Sequence, residues 1–234
     1  MNPSFSFRTL AICAALALSL SACGSGDAPG GAGGPPLTVN ADGTTTFDNT
    51  ALLQTLASYP VEELSQAEID SLTFMREEEK LAGDVYTALD AVWGGSVKVF
   101  GNIAKSELTH TGAVRELLLR YNLPDPAADT APGVFVNPEL QALYTAQVQA
   151  GNTDLVAALQ VGMGIEELDI RDIQADIDRI DNQDIVMVYQ NLLKGSRNHM
   201  RSFYKTLLQQ GGSYTPVYID QASFDAIVTS AIER

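Results

Sequence analysis

From Ser65 onward, apolar residues recur at the three- and four-residue spacing of an α-helix, and they do so in four long stretches. The first opens on a capping-box pattern, Ser65 followed by Glu68, and runs to about Val92. Trp93-Gly94-Gly95 makes a turn, and Ser96 is the predicted cap of a second helix reaching about Tyr121, where Pro124 and Pro126 forbid continuation. Asn137-Pro138 starts a shorter helix that stops at Gly151. Thr153 or Asp154 begins the third long helix, to about Ile180, and Asp181-Asn182-Gln183 leads into the fourth, which ends at Gly211-Gly212. A last short helix is expected near Ser223 to Ile232. Alternating β-branched runs are nearly absent, so the fold class is all-α. Helices of about 25 residues are about 38 Å long, the scale of a four-helix bundle. Short turns make each outer pair an antiparallel hairpin, while residues 122–152 are long enough to cross the length of the bundle.

Before this region the chain has a different character. Arg8 is the only charge ahead of an apolar run, Leu10 to Leu20, which closes on Ser21 and Ala22. This describes a secretory signal, too short to span a bilayer comfortably. Leu20-Ser21-Ala22-Cys23 resembles the lipobox of bacterial lipoproteins, which implies acylation of Cys23 and anchoring to a membrane. A plain secretory signal with an incidental cysteine is the blander alternative. Gly24 after the cysteine, with no aspartate, implies sorting to the outer membrane where the cell has one. Residues 24 to about 48 are rich in Gly, Pro, Ser and Thr without apolar periodicity, and read as a flexible tether. The expected organisation is a signal peptide over 1–22, a tether over 23–48 and a helical domain over 49–234. The protein is accordingly expected outside the cytoplasm.

The formal charge is −15, and losing Arg8 with the signal makes it −16. So acidic a balance argues against nucleic acid and anionic lipid surfaces as partners and suits the attraction of cations. The only cysteines are Cys13 and Cys23, so the domain has no disulfide, no thiolate ligand and no cysteine nucleophile. No later segment has the twenty or so apolar residues of a membrane helix.

Polar residues interrupt the apolar stripes at matching depths. The stripes are Leu72, Met75, Glu79, Ala82, Tyr86 and Leu89; Ile103, Glu107, His110, Val114 and Leu117; Leu155, Leu159, Glu166, Ile170, Ile173 and Ile177; and Ile185, Val188, Leu192, Ser196, His199 and Phe203. Asp169 lies one turn from Glu166 on the flank of its face. Buried carboxylates facing one another are tolerable only when protonated, paired or bound to a cation. Both histidines of the chain, His110 and His199, fall in these stripes. At about 1.5 Å per residue, the polar groups of each hairpin come level to within about one turn.

Over roughly residues 65–210 the pattern resembles the ferritin-like superfamily, including rubrerythrins, bacterioferritins and an uncharacterised ferritin-like family. Those bundles carry Glu on the first helix, Glu-x-x-His on the second, Glu on the third and Glu-x-x-His on the fourth. Glu79 fits the first position, with Tyr86 two turns on; Glu107 and His110 make a complete Glu-x-x-His; Glu166 fits the third helix. The fourth departs, reading Ser196-Arg197-Asn198-His199, so the histidine is present and the carboxylate is absent. Asp169 is the candidate substitute, much as rubrerythrins carry an extra carboxylate on that helix. The resemblance implies a metal site of Glu79, Glu107, His110, Glu166, Asp169 and His199, holding one or two ions. Carboxylate oxygens with one imidazole per ion suit iron, or manganese.

Other features have simpler readings. Glu77, Glu78 and Glu79 form a run that is usually a solvated helix face; Glu79 sits in the stripe and Glu78 is its rival as ligand. Glu167 shares a face with Gln160, Arg171 and Gln174 and is expected to be exposed. Tyr86 reads as core packing with a useful hydroxyl ahead of a redox tyrosine. Gly83, Gly112, Gly162, Gly164 and Gly195 read as close-packing points, since glycine inside a helix costs about 1 kcal/mol relative to alanine. Gly162-Met163-Gly164 follows no strand and is no phosphate loop. Ser196 and His199 lack the rest of a hydrolase triad. Two functions stand side by side. The first is a lipid-anchored redox protein, a di-iron oxidoreductase or ferroxidase that oxidises Fe(II) or reduces oxygen or peroxide. The second is a non-enzymatic surface lipoprotein that binds metal or protein through an incomplete site. A homodimer suits either, and a closed storage cage suits neither.

Overall fold

The structure, a computed structural model, describes residues 34–234. The expected signal peptide, Cys23 and the first part of the tether lie outside the described residues. The described chain is predominantly helical. Its elements are β1 (Leu37–Val39), β2 (Thr45–Phe47), α1 (Asn49–Ala57), α2 (Gln66–Trp93), α3 (Val99–Arg120), α4 (Pro138–Gly151), α5 (Leu155–Ile177), α6 (Gln183–Gln209) and α7 (Gln221–Thr229).

Ser65 does cap α2: its hydroxyl accepts the Glu68 amide, and the Glu68 carboxylate accepts the Ser65 amide in return. The other Glu68 oxygen accepts the Asn182 amide at 3.2 Å, so the same side chain ties the start of α2 to the start of α6. Asn137 caps α4 with Pro138 at its first position, and Asp154 caps α5 through the Ala157 amide. For α3 the expected cap is corrected. The helix starts after Lys98, which makes no side-chain cap, and Ser96 belongs to the preceding turn. Asp90 of α2 supplies the missing acceptor, taking the Gly101 amide at 3.0 Å. The ends of α5, α6 and α7 differ from the sequence reading by two or three residues, the usual fraying of boundaries.

The four long helices pack in a ring: α2 on α3 and α5, and α6 on α5 and α3. The long connection carries α4, which lies against α2 and α5. Trp93 donates its indole N–H to the Gly151 carbonyl at 2.9 Å, pinning the end of α2 to the end of α4. All four predicted stripes are buried, with only Leu155 and Ile177 half-buried at their ends. No helix among the described residues is long and apolar enough to cross a membrane.

The segment read as tether is partly ordered structure. Residues 37–47 form an antiparallel hairpin with Leu37 opposite Phe47 and Val39 opposite Thr45, and β2 packs on α3. Its turn is made by Asn40 to Gly43, with Gly43 at φ 86°, the left-handed region an Asp-Gly turn provides. Alternation along β2 buries Thr45 and Phe47 and exposes Thr46. Helix α1 then follows and packs on α3.

Candidate metal centre

Each of the four long helices brings one or two polar side chains to the same layer. Helix α3 supplies Glu107 and, one turn later, His110; α6 supplies His199; α2 supplies Glu79; α5 supplies Glu166. All five are at most 1 % exposed. Glu107 lies between the two imidazoles. Its Oε2 stands 2.9 Å from His110 Nδ1 and its Oε1 stands 2.8 Å from His199 Nδ1. Glu79 Oε2 approaches His110 Nδ1 at 3.4 Å, and Glu166 Oε2 approaches His199 Nδ1 at 3.5 Å. The two rings stack with centroids 5.2 Å apart and planes inclined by 16°.

These contacts are short but are not aligned as hydrogen bonds. Both histidine Nδ1 atoms, Glu107 Oε1, Glu166 Oε2 and both oxygens of Glu79 are buried without a hydrogen-bond partner. In an ordinary interior such atoms are paired. Two atoms bound about 2.1 Å from one ion stand about 3.0 Å apart at a right angle and about 3.4 Å apart at the tetrahedral angle. The four N···O separations match those spacings. Glu107, His110 and His199 form a buried group that can hold a metal ion.

The electrostatics of the metal-free cluster follow from the same geometry. Burial alone would raise Glu107, but His199 and His110 together hold its carboxyl well below the usual range. Against burial, which lowers an imidazole, Glu107 and Glu79 push His110 up to about 9, and Glu107 with Glu166 pushes His199 up to about 10. Burial raises Glu79 and Glu166 to about 7, with their histidine partners opposing the rise. The Tyr86 hydroxyl donates to Glu166 Oε1 at 2.7 Å, and its ring packs on Phe203 with centroids 5.0 Å apart.

Thr45 is the member of the cluster that the helical stripes could not reveal. Its hydroxyl oxygen stands 2.7 Å from His110 Nε2 and 3.0 Å from His199 Nε2. One hydroxyl offers two lone pairs, so it can accept an N–H from each ring. With Thr45 at Nε2 of both rings, both Nδ1 atoms face the carboxylates. Two hydrogen bonds to α3 hold the hairpin in this position. The Thr45 amide donates to Ser106 Oγ at 2.9 Å, and the Phe47 amide to Thr109 Oγ1 at 3.1 Å. Phe47 also meets the His110 ring edge-on at 5.7 Å. The signal in the sequence was Asp42-Gly43 between short β-branched runs.

Asp169 is 2 % exposed and reaches no histidine nitrogen within 4.0 Å, and Glu78 likewise stands apart from both rings. Glu79, and not Glu78, is the member of the run beside His110. None of the run is a solvated face: Glu77 is also buried, accepting the Val136 and Asn137 amides at 2.6 and 3.0 Å at the start of α4. Glu167 is corrected as well. It is fully buried because residues 214–219 fold over α5, and it accepts Tyr214 OH at 2.5 Å with the Val217 and Ile219 amides at 2.7 and 2.8 Å. Ser196 is buried and donates back to the Leu192 carbonyl at 3.2 Å.

Two of the predicted close-packing glycines are decisive. A Cβ on Gly195 would lie 2.5 Å from His110 Cε1, and one on Gly162 would lie 2.6 Å from the Phe203 ring. Gly83 is close against the Glu107 Cβ, while Gly164 has only ordinary contact with Tyr214. Gly112 has open space and is no packing point. Outside the cluster, a cavity of about 440 Å³ between α2 and α3 is lined by Gly83, Ala104, Thr87 and Leu108 and reaches Glu79 and Glu107.

Residues 68–231 match the family model described as an uncharacterized protein domain, DUF2202. The chain belongs to this family. The matched region contains every residue of the cluster except Thr45. A relative is uncharacterized protein MJ0754 of Methanocaldococcus jannaschii, 46 % identical over 183 residues, which are 78 % of this chain and 98 % of the relative. The crystal structure of that hypothetical protein superposes with a TM-score of 0.72 at 47 % identity, covering 74 % of this chain and 98 % of the other.

Proposed function

We propose that this DUF2202 protein is a ferritin-like metalloprotein with a two-cation centre. Glu107 would bridge, His110 and Glu79 would complete one position, and His199 and Glu166 the other. The observation that carries this reading is the placement of the two Glu107 oxygens, one on each histidine Nδ1, at metal-ligand spacing and outside hydrogen-bond alignment. Oxygen donors with one imidazole per position favour iron or manganese. Such an ion supplies one-electron chemistry with a small oxidant. The residues of the chain do the rest. Thr45 orients both imidazoles, and Tyr86 holds Glu166 by a hydrogen bond. The cavity between α2 and α3 is the route by which dioxygen or peroxide would reach Glu79 and Glu107. This supports Fe(II) oxidation or peroxide reduction. With the lipobox reading of residues 20–23, the centre would work at an extracytoplasmic membrane surface.

The absence of a carboxylate at Ser196 favours a second reading, a metal-binding protein without turnover, because one bridge fewer leaves a less symmetric pair. One experiment tests both. The purified protein is loaded anaerobically with Fe(II), its metal content is measured, and absorption is followed on admitting oxygen. Two ions per chain are expected in the wild type, with His110→Ala and Glu107→Gln each losing at least one. Retained iron without oxidation selects the second reading. Equal and negligible binding by wild type and His110→Ala sinks both.

A further inference from the structure

Two buried acids are left over once the histidine cluster is described. Glu78 and Asp169 are 1 % and 2 % exposed, and none of their four carboxylate oxygens has a hydrogen-bond partner. They sit on α2 and α5, which pack together. The charge that Asp169 feels most strongly is Glu78, followed by Glu79, Glu166 and Glu107, all of them acidic. Glu78 in turn faces Asp172 and Glu79. A cation that faces Glu78 is Arg171, and it is engaged elsewhere. Its guanidinium is half-exposed, bonded to Asp172 at 2.6 and 2.8 Å, and stacked 5.0 Å above the Tyr218 ring. The nearby Tyr189 hydroxyl is paired with Ser71 at 2.9 Å.

An uncompensated carboxylate in an interior is among the most expensive things a fold can bury, and two side by side are worse. Glu78 is within hydrogen-bonding reach of Asp172, so a shared proton there can meet one of its oxygens, but both Asp169 oxygens remain without a partner. What satisfies two such groups is a hard divalent cation, which takes carboxylate oxygens and keeps water in its remaining positions. We propose that Glu78 and Asp169 hold a further divalent cation in an oxygen-only site between α2 and α5, beside the histidine cluster and joined to solvent through Asp172. Asp172 is the partly exposed end of this file of acids, with its side chain 22 % exposed. The histidine-free donor set distinguishes the site chemically. It accepts Mn(II), Mg(II), Ca(II) or Fe(II) and has no soft or nitrogen ligand to prefer later transition metals.

The site stands independently of the reading of the histidine centre, and Mn(II) titration followed by electron paramagnetic resonance and equilibrium dialysis separates the two. The double variant Glu78→Gln/Asp169→Asn keeps the shape of both side chains. It is expected to bind one Mn(II) fewer than wild type. The double variant His110→Ala/His199→Ala is expected to retain that ion, and Mg(II) or Ca(II) in excess to displace it. Amide variants that bind as many Mn(II) ions as wild type, with the same affinity, overturn the proposal. The single Glu78→Gln and Asp169→Asn variants read the same loss should the pair fold poorly. If removing the histidines costs no Mn(II) while the amides do, the oxygen-only site stands and the histidine centre falls.

Discussion

At Thr45 a single hydroxyl stands within hydrogen-bonding reach of the Nε2 atoms of both histidines. Replacing it with valine keeps shape and burial while removing the hydrogen-bond partner of two imidazoles. Partners of metal-bound imidazoles typically contribute ten- to a hundredfold in affinity. Thr45→Val is therefore expected to weaken metal binding by about that factor with the helical spectrum unchanged, and Thr45→Ser to restore most of it. A chelator competition titration measures the difference, and equal affinity in all three proteins would remove Thr45 from the site. Residue by residue, legibility follows the period of the helix. Glu79, Glu107, His110, Glu166 and His199 are readable because each interrupts an apolar stripe. Thr45 is not, because its strand has three residues and too short an alternation to register. Glu167 reads wrongly as exposed because its own helix face is polar. The backbone amides that bury it come from residues 217–219, some fifty positions away, and local sequence carries no trace of them.

Among the elements, α6 shows most clearly how close helix approach and site geometry depend on one another. The His110 ring of α3 lies where a side chain on Gly195 would be, with Nε2 only 2.9 Å from the position a Cβ would take. Glycine to alanine inside a helix is intrinsically stabilising by about 1 kcal/mol. Gly195→Ala is expected to reverse that sign, destabilising the protein and displacing His110 enough to lose metal at its position. Gly112→Ala on α3 faces open space and should show the ordinary gain of up to about 1 kcal/mol with binding intact. Urea unfolding of the two variants makes the comparison, and a gain at both positions would show that the ring can move without cost. The long helices and the crossing connection are legible because amphipathic periods persist over many turns. The start of α3 is not, since its acceptor, Asp90, comes from a neighbouring helix and Ser96 offers a plausible local cap.

Across the whole molecule, the cluster couples protons, metal and folding. A group whose pKa is higher folded than unfolded holds more protons in the folded state, so its contribution to stability falls as pH rises. His110 and His199, raised to about 9 and 10, contribute fully below about pH 6.5 and lose that contribution as pH climbs through those values. Glu79 and Glu166, raised to about 7, act in the same direction from about pH 4.5 upward. Glu107, held low, has the opposite sign and supports the fold above the ordinary carboxylate range. The four raised groups outnumber it, so the metal-free protein should lose stability steadily between about pH 5 and pH 10. A cation takes the places of the displaced protons, and its affinity rises as they become easier to release. Its stabilising effect follows the ratio of free metal to dissociation constant, so it grows with pH at fixed metal. Calorimetry of metal-free and Mn(II)-loaded protein at about pH 6 and pH 8 should therefore show the gap between melting temperatures widening at the higher pH. A constant gap would mean that metal binds away from the titrating cluster. Thr45 meets both histidines at Nε2, so the Nδ1 atoms are the ones that face the carboxylates and would give up their protons to a cation. Thr45→Val should consequently flatten the pH dependence of the gap as well as lower the affinity.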